Sequence, residues 1–131
     1  MKTLSIDHGT KRIGVAISDE LGITARVLPI IKYKNTRQAI DSIKSIITKE
    51  KCDQILIGLP SGYNNVDSEQ THIVKEFAQS LSESTSLPII FWDETYTSKN
   101  AIQSLIGKTK KNLDSEVAKV ILIEFLNSSE H

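Results

Sequence analysis

The sequence has little of several features that would assign a protein to a class. It has one cysteine, Cys52, so neither an internal disulfide framework nor a site of several thiolates can form within the chain. Lys and Arg together number 16, as do Asp and Glu, and this zero net charge argues against a strongly basic coat for nucleic acid. Aromatic residues make up only 5% of the chain, which leaves few rings on which unpaired bases could stack.

Long apolar segments are also missing. No stretch approaches the length of a membrane span, and Asp7 interrupts the N-terminal apolar run too early for a signal peptide. We therefore expect a cytoplasmic protein without a membrane partner. A chain of 131 residues, 39% hydrophobic and 24% charged, is typical of one globular domain, which we predict to cover residues 1–131.

The spacing of apolar residues changes along the chain. Alternation with short turns at "HGTK" and "DELG" predicts an antiparallel meander of strands over residues 3–7, 12–18 and 23–31. After the meander, helical spacing alternates with continuous apolar runs. These patterns predict helices over 36–49, around 73–81, over 98–106 and from 114 to about 126, and buried strands over 53–60 and 87–94. The order predicts an α/β fold with a mixed five-stranded sheet, its first strand central and helices on both faces.

Acidic residues stand where this arrangement would bring them together. Asp7 ends the first strand, and Asp93 and Glu94 end the last one, so all three belong to the carboxyl edge of parallel strands. Asp7 could instead be an ordinary turn residue, and the pair could be a solvated strand end. Asp114 would cap the last helix. It also shares a helical face with Ala118, which would direct its carboxylate toward the same edge.

Three converging carboxylates repel one another unless a cation lies between them. Carboxylate oxygens suit Mg²⁺ or Mn²⁺, and a site with few protein ligands leaves positions for water and phosphate. Two such ions about 4 Å apart would activate a water and stabilise the leaving oxygen of a phosphodiester. The residues therefore predict metal-dependent phosphoryl chemistry.

Groups that could hold a phosphate backbone lie beside two of the acids. Gly9 allows a tight turn after Asp7, and Thr10 offers N–H and hydroxyl donors. Lys11 and Arg12 follow, although Arg12 could equally brace an acid from within the sheet. A polar loop before Asp114 supplies further cations, namely Lys108, Lys110 and Lys111. The alternative for this lysine loop, residues 107–112, is a solvated linker.

Four segments resemble a known family in order and spacing. "LSIDHGTKRIGVAIS", "ILIGLP", "DETYTS" and "LDSEVAKVILIEFL" are similar to the blocks of the YqgF or RuvX family of Holliday junction resolvases and pre-16S rRNA nucleases, over residues 4–126. The resemblance implies an RNase H-like fold and acidic site positions at Asp7, Glu94 and Asp114. It also supplies the choice of Glu94 over Asp93. The chain has Thr95 where the family usually has an arginine.

Other functions fit parts of the sequence. An Asp-x-Gly-Thr turn after a first strand also cradles ATP phosphates in sugar-kinase-like enzymes, but those enzymes need two such domains. A nucleic-acid-binding module without turnover is a second alternative. The resemblance implies a pre-16S rRNA substrate processed at its 5′ end, or branched DNA. Symmetric cleavage of a junction requires a homodimer, whereas trimming an RNA end requires only a monomer.

Overall fold

The computed structural model describes residues 1–9, 11–59, 69–93 and 113–128, and within the last range it leaves the side chains of residues 113 and 114 undescribed. The predicted helix over 98–106 and the lysine loop lie outside the described residues. The described elements are, in chain order, β1 Thr3–His8, β2 Arg12–Ser18, β3 Ala25–Lys32, α1 Thr36–Glu50, β4 Gln54–Leu59, α2 Glu69–Ser84, β5 Ile89–Asp93 and α3 Leu113–Ser128.

The strands form one five-stranded sheet in the order β3-β2-β1-β4-β5. β1 pairs with β2 and β2 with β3 in antiparallel fashion, whereas β4 is parallel to both β1 and β5. The predicted mixed sheet with a central first strand is therefore confirmed. Because β1, β4 and β5 run in the same direction, their carboxyl ends lie along one edge of the sheet.

The two faces of the sheet are covered by different helices, as predicted. On one face, Leu4 and Ile6 of β1 pack in a core that contains residues of α1 and α2, such as Ile43 and Phe77. On the other face, Leu56 of β4 packs against α3 in a smaller apolar cluster. None of the helices among the described residues is long and apolar enough to cross a membrane.

Two strand predictions need correction. β3 begins at Ala25, two residues later than predicted, because the Asp19 carboxylate accepts hydrogen bonds from the backbone N–H groups of Ile23 (2.6 Å) and Thr24 (3.0 Å) and holds them in the turn. β5 is not a buried strand, since it lies at the edge of the sheet and Phe91 is 43% exposed. A short apolar run has the same appearance in an edge strand as in a central one.

Candidate active site

The Asp7 carboxylate lies at the carboxyl end of the central strand and is only 4% exposed. Side chains alternate between the two faces of a strand. Ile6 packs in the core under α1 and α2, and Ser5 contacts α3 through a hydrogen bond from its hydroxyl to the carbonyl oxygen of Ala118 (2.8 Å). Asp7 therefore belongs to the face of the sheet that α3 covers, which we call the α3 face.

The positions beside Asp7 in both neighbouring strands are glycines. Asp7 pairs with Gly14 on β2, and Gly58 of β4 follows Ile57, the partner of Ile6. Neither of these two neighbours carries a side chain, so the positions directly beside Asp7 on β2 and β4 are occupied by backbone alone.

Helix α3 runs antiparallel to β1, with its first turn toward Asp7. The Ser115 hydroxyl accepts a hydrogen bond from the N–H of Val15 (3.2 Å) and donates one to the carbonyl oxygen of Leu28 (2.9 Å). Val15 pairs with Ile6, the residue before Asp7. At the other end of the helix, Leu126 lines a cavity together with Met1 and Thr3, at the beginning of β1.

This direction places the backbone of Asp114 close to the level of Asp7. Ala118 lies over Ser5, and Asp114 precedes Ala118 by four residues, or about 6 Å along a helix. Asp7 follows Ser5 by two residues, or about 7 Å along a strand. The positive end of the helix dipole points toward the same end of the strand, where it favours negative charge. The structure thus brings together Asp7 and the beginning of α3.

Of the predicted acidic pair Asp93 and Glu94, the structure describes only Asp93, the last residue of β5. Ile90 and Trp92 pack in the cluster under α3, and the Trp92 indole N–H donates to the Glu124 carboxylate at 3.3 Å. Ile89 packs in the core on the opposite face, so Asp93, which alternates with Trp92, belongs to that opposite face as well. Asp93 is thus separated from Asp7 by the sheet. Glu94 lies outside the described residues.

The turn after β1 closes with a hydrogen bond from the Gly9 N–H to the Arg12 carbonyl oxygen at 2.8 Å. Lys11 and Arg12 are both exposed at this turn, as a role in binding an external polyanion requires. The remaining predicted phosphate contacts, Thr10, Lys108, Lys110 and Lys111, lie outside the described residues.

Substitution Gly9→Ala is expected to lower the free energy of unfolding by about 1–3 kcal/mol, the usual cost of an overpacked site. A Cβ atom at Gly9 would lie 2.6 Å from the Arg12 carbonyl oxygen, so the backbone of the turn would have to shift. Urea unfolding monitored by circular dichroism would measure the loss. The matched control is Gly22→Ala, whose Cβ would meet nothing closer than 3.6 Å but would sit at φ +71°, so it tests backbone strain without a clash. An unchanged midpoint for Gly9→Ala would contradict the close approach.

Sequence reasoning missed His8 and Tyr33, which lie on the opposite face of β1 from Asp7. The His8 ring packs on Phe77 with a centroid distance of 4.5 Å and lies 5.9 Å from the Tyr33 ring. Burial lowers the pKa of His8, although the nearby Asp7 charge acts in the other direction, so the neutral imidazole is favoured. No local signal in the sequence could have paired two residues that are 25 positions apart.

The Asp7 carboxylate is the kind of oxygen ligand that hard divalent cations prefer. Asp7 provides a buried carboxylate at a strand end, beside two glycines and below the amino end of a helix that begins Leu-Asp. Among the described residues, no three His, Cys, Asp or Glu side chains lie together in a way that could hold a metal ion. Of the three predicted ligands, only Asp7 has a described side chain.

Comparisons with known proteins agree with this architecture. Residues 1–128 match the family model described as "RuvX: Holliday junction resolvase". A protein of Carboxydothermus hydrogenoformans named "Putative pre-16S rRNA nuclease" is 37% identical, and the alignment covers 97% of this chain and 96% of that protein. A protein of the same name from Clostridium acetobutylicum is 36% identical, with coverages of 98% and 99%.

Two solved structures share the fold at low sequence identity. Thermus thermophilus RuvC in complex with a Holliday junction substrate has a TM-score of 0.63 at 10% identity, and the match covers 99% of this chain and 97% of that one. The fowlpox virus resolvase bound to Holliday junction DNA has a TM-score of 0.56 at 16% identity, with full coverage of both chains. The family match over residues 1–128 and the curated relatives show that this chain belongs to the RuvX family.

Proposed function

We propose that this protein is a metal-dependent endonuclease that hydrolyses phosphodiester bonds in structured nucleic acid, with the 5′ end of pre-16S rRNA as its substrate. One observation carries the proposal: the buried carboxylate of Asp7 and the amino end of α3 meet at the carboxyl edge of the central strand. The names of the relatives support an rRNA substrate. The family description supports branched DNA as the second candidate.

The proposed metal ligands are Asp7, Glu94 and Asp114, and the proposed metal is Mg²⁺ or Mn²⁺. When bound, such an ion supplies an activated water and stabilises the leaving oxygen of the phosphodiester. The chain itself supplies fixed negative charge in a sheltered place, because Asp7 is almost fully buried and α3 lies over its strand.

Glu94 is preferred to Asp93 for a reason beyond the resemblance to the family. Asp7 belongs to the α3 face, whereas Asp93 alternates onto the opposite face of the sheet. A ligand that meets Asp7 must come from the α3 face. This disfavours Asp93 as the ligand and leaves Glu94, the residue that the resemblance to the family implies.

We further propose that the turn after β1 binds the phosphate backbone. Lys11 and Arg12 are exposed at the turn that follows Asp7, so their side chains can bind the substrate without any change in the fold. Gly9 would let the backbone turn tightly, and Thr10 would provide N–H and hydroxyl donors. Lys108, Lys110 and Lys111, which precede Asp114 in the chain, would also contact the phosphate backbone.

The proposal is tested by incubating the purified protein with Mg²⁺ or Mn²⁺ and two substrates in parallel, a structured precursor of 16S rRNA and a four-way DNA junction. Metal-dependent cleavage of the RNA near its mature 5′ end is the expected result. Symmetric cleavage of the junction alone would favour the second candidate, and sedimentation would then show a homodimer rather than a monomer. Binding without any cleavage would contradict the nuclease and favour the non-catalytic module.

Lys11→Ala is expected to weaken substrate binding at any nucleotide sequence. Each phosphate contact contributes a slope of roughly 0.7–0.9 to the dependence of log affinity on log salt, so the slope should fall by about one unit. Binding of an uncleavable substrate across a salt series measures the change, and single-turnover rates at saturation should change much less. Lys44→Ala removes an exposed lysine from α1 and serves as the control. If both variants keep the wild-type slope, Lys11 makes no phosphate contact.

A further inference from the structure

Tyr33, the residue after β3, contacts the turn after β1 at three points. Its hydroxyl donates a hydrogen bond to the carbonyl oxygen of Gly9. The same hydroxyl lies 3.3 Å from Nε2 of His8, and the backbone N–H of Tyr33 donates to the carbonyl oxygen of Lys11 at 3.3 Å. One residue therefore holds both ends of the short segment that links Asp7 to Lys11 and Arg12.

The number of hydrogens on the Tyr33 hydroxyl determines which groups donate and which accept among Tyr33, Gly9 and His8. A tyrosine hydroxyl carries one hydrogen, and here the Gly9 carbonyl takes it. The contact with His8 is then a hydrogen bond only if the imidazole donates from Nε2. This tautomer leaves Nδ1 as an acceptor, and Nδ1 is buried with no hydrogen-bond partner among the residues that the structure describes.

The His8 ring is itself held firmly. It packs on Phe77 of α2, and the side-chain amide of Gln70 donates to the His8 carbonyl oxygen at 3.3 Å. The hydroxyl of Tyr33 thus contacts a ring that is anchored to α2, while its backbone is continuous with β3. The turn is therefore held in place by β3, through Tyr33, and by α2, through Phe77 and Gln70.

The carbonyl of Gly9 is drawn toward Tyr33 and His8, on the face of the sheet opposite Asp7. The turn is therefore held from the face of the sheet opposite Asp7, and its exposed residues Lys11 and Arg12 stay accessible to a ligand.

We propose that Tyr33 is a positioning residue for the substrate. It fixes the turn so that Lys11 and Arg12 meet a phosphate beside Asp7. The inference rests on the proposed nuclease function and deepens it. It assigns part of the binding affinity to a residue that touches neither the substrate nor the acidic ligands.

The test is Tyr33→Phe, which keeps the ring and removes only the hydroxyl. Binding of an uncleavable substrate should weaken by about two- to tenfold, the range that one ordinary hydrogen bond supplies. The salt slope should stay at the wild-type value, because no charge is removed. The single-turnover rate at saturating substrate should also stay unchanged, since the acidic ligands remain. In the free protein, hydrogen exchange of the Gly9 amide should accelerate by a similar factor, because that amide closes the turn.

Ser18→Ala is the matched control. The Ser18 hydroxyl accepts a hydrogen bond from the N–H of Thr3 at 2.8 Å, at the opposite end of the sheet from the turn. This variant should accelerate exchange of the Thr3 amide and leave Gly9 exchange and substrate binding at wild-type values. A general loss of stability would instead change the substrate affinity and the amide exchange rates of both variants to a similar extent.

The outcomes separate this inference from the function on which it rests. If the wild type binds substrate, and Tyr33→Phe matches it both in binding and in Gly9 exchange, the positioning role is overturned and the nuclease is not. If Tyr33→Phe and Ser18→Ala weaken binding equally, the effect is one of stability and the positioning role is again overturned. A wild type that binds neither substrate overturns the proposed function itself.

Discussion

Replacing Asp7 by asparagine should reduce cleavage by at least about a hundredfold, while substrate binding changes little. Residues that only support a metal ligand cost 10–100-fold when they are removed, and a direct ligand should cost more. The substitution keeps the shape of the side chain and removes its charge. Single-turnover cleavage in Mg²⁺ and in Mn²⁺ measures the effect, with the binding of an uncleavable substrate measured alongside.

The same variant should be at least as stable as the wild type when no metal is bound. Asp7 is almost fully buried, and in the proposed site it lies beside two further carboxylates that repel it. A neutral amide relieves this repulsion, so the melting temperature in the presence of a chelator should stay equal or rise. The stabilisation that Mg²⁺ gives the wild type should be lost.

Asp93→Asn is the matched control, because it makes the same chemical change on the opposite face of the sheet. It should retain cleavage near the wild-type rate. If Asp7→Asn cleaves as well as the wild type in Mg²⁺, the proposed mechanism is wrong. If Asp93→Asn instead is the inactive variant, the assignment of Glu94 is wrong.

Ser115→Ala is expected to lower the free energy of unfolding by about 2–4 kcal/mol, a large effect for the loss of one hydroxyl. Ser115 is completely buried, and its hydroxyl bridges the Val15 N–H and the Leu28 carbonyl, at the place where the pairing of β2 with β3 shifts register. Alanine removes both bonds and leaves the buried Val15 N–H and the partly buried Leu28 carbonyl without them. Urea unfolding provides the measurement, with an unchanged m-value showing that the folded and unfolded states keep their exposed surface.

Ser128→Ala is the control for the hydroxyl in α3. Its hydroxyl bonds to the Phe125 carbonyl at 2.8 Å within the same helix, in an exposed position, so its loss should cost less than about 0.5 kcal/mol. Ser115→Ala should also slow cleavage beyond its effect on stability, because Ser115 holds the first turn of α3 near Asp7. Wild-type stability for Ser115→Ala would contradict the anchoring of α3.

The sequence by itself determined the elements whose cause is local. Alternation in β2 and the turn glycine Gly9 predicted the hairpin, and the predicted bounds of β2 match the observed ones. The position of Asp7 at the end of a strand also followed from pattern alone. Local hydrogen bonds and the alternation of side chains produce these features within about ten residues, so they can be predicted from the amino-acid sequence.

Only the tertiary structure decided which apolar runs became buried and which acids shared a face. β5 resembles β4 in sequence, yet it lies at the edge, because the order of strands is set by packing rather than by composition. The packing of Ile89 and Trp92 on opposite faces of the sheet was needed to show that Asp93 and Asp7 also lie on opposite faces. Ser115 and Tyr33 act through contacts with residues that are 100 and 24 positions away. Such contacts form when the chain collapses onto both faces of the sheet, and no local pattern encodes them.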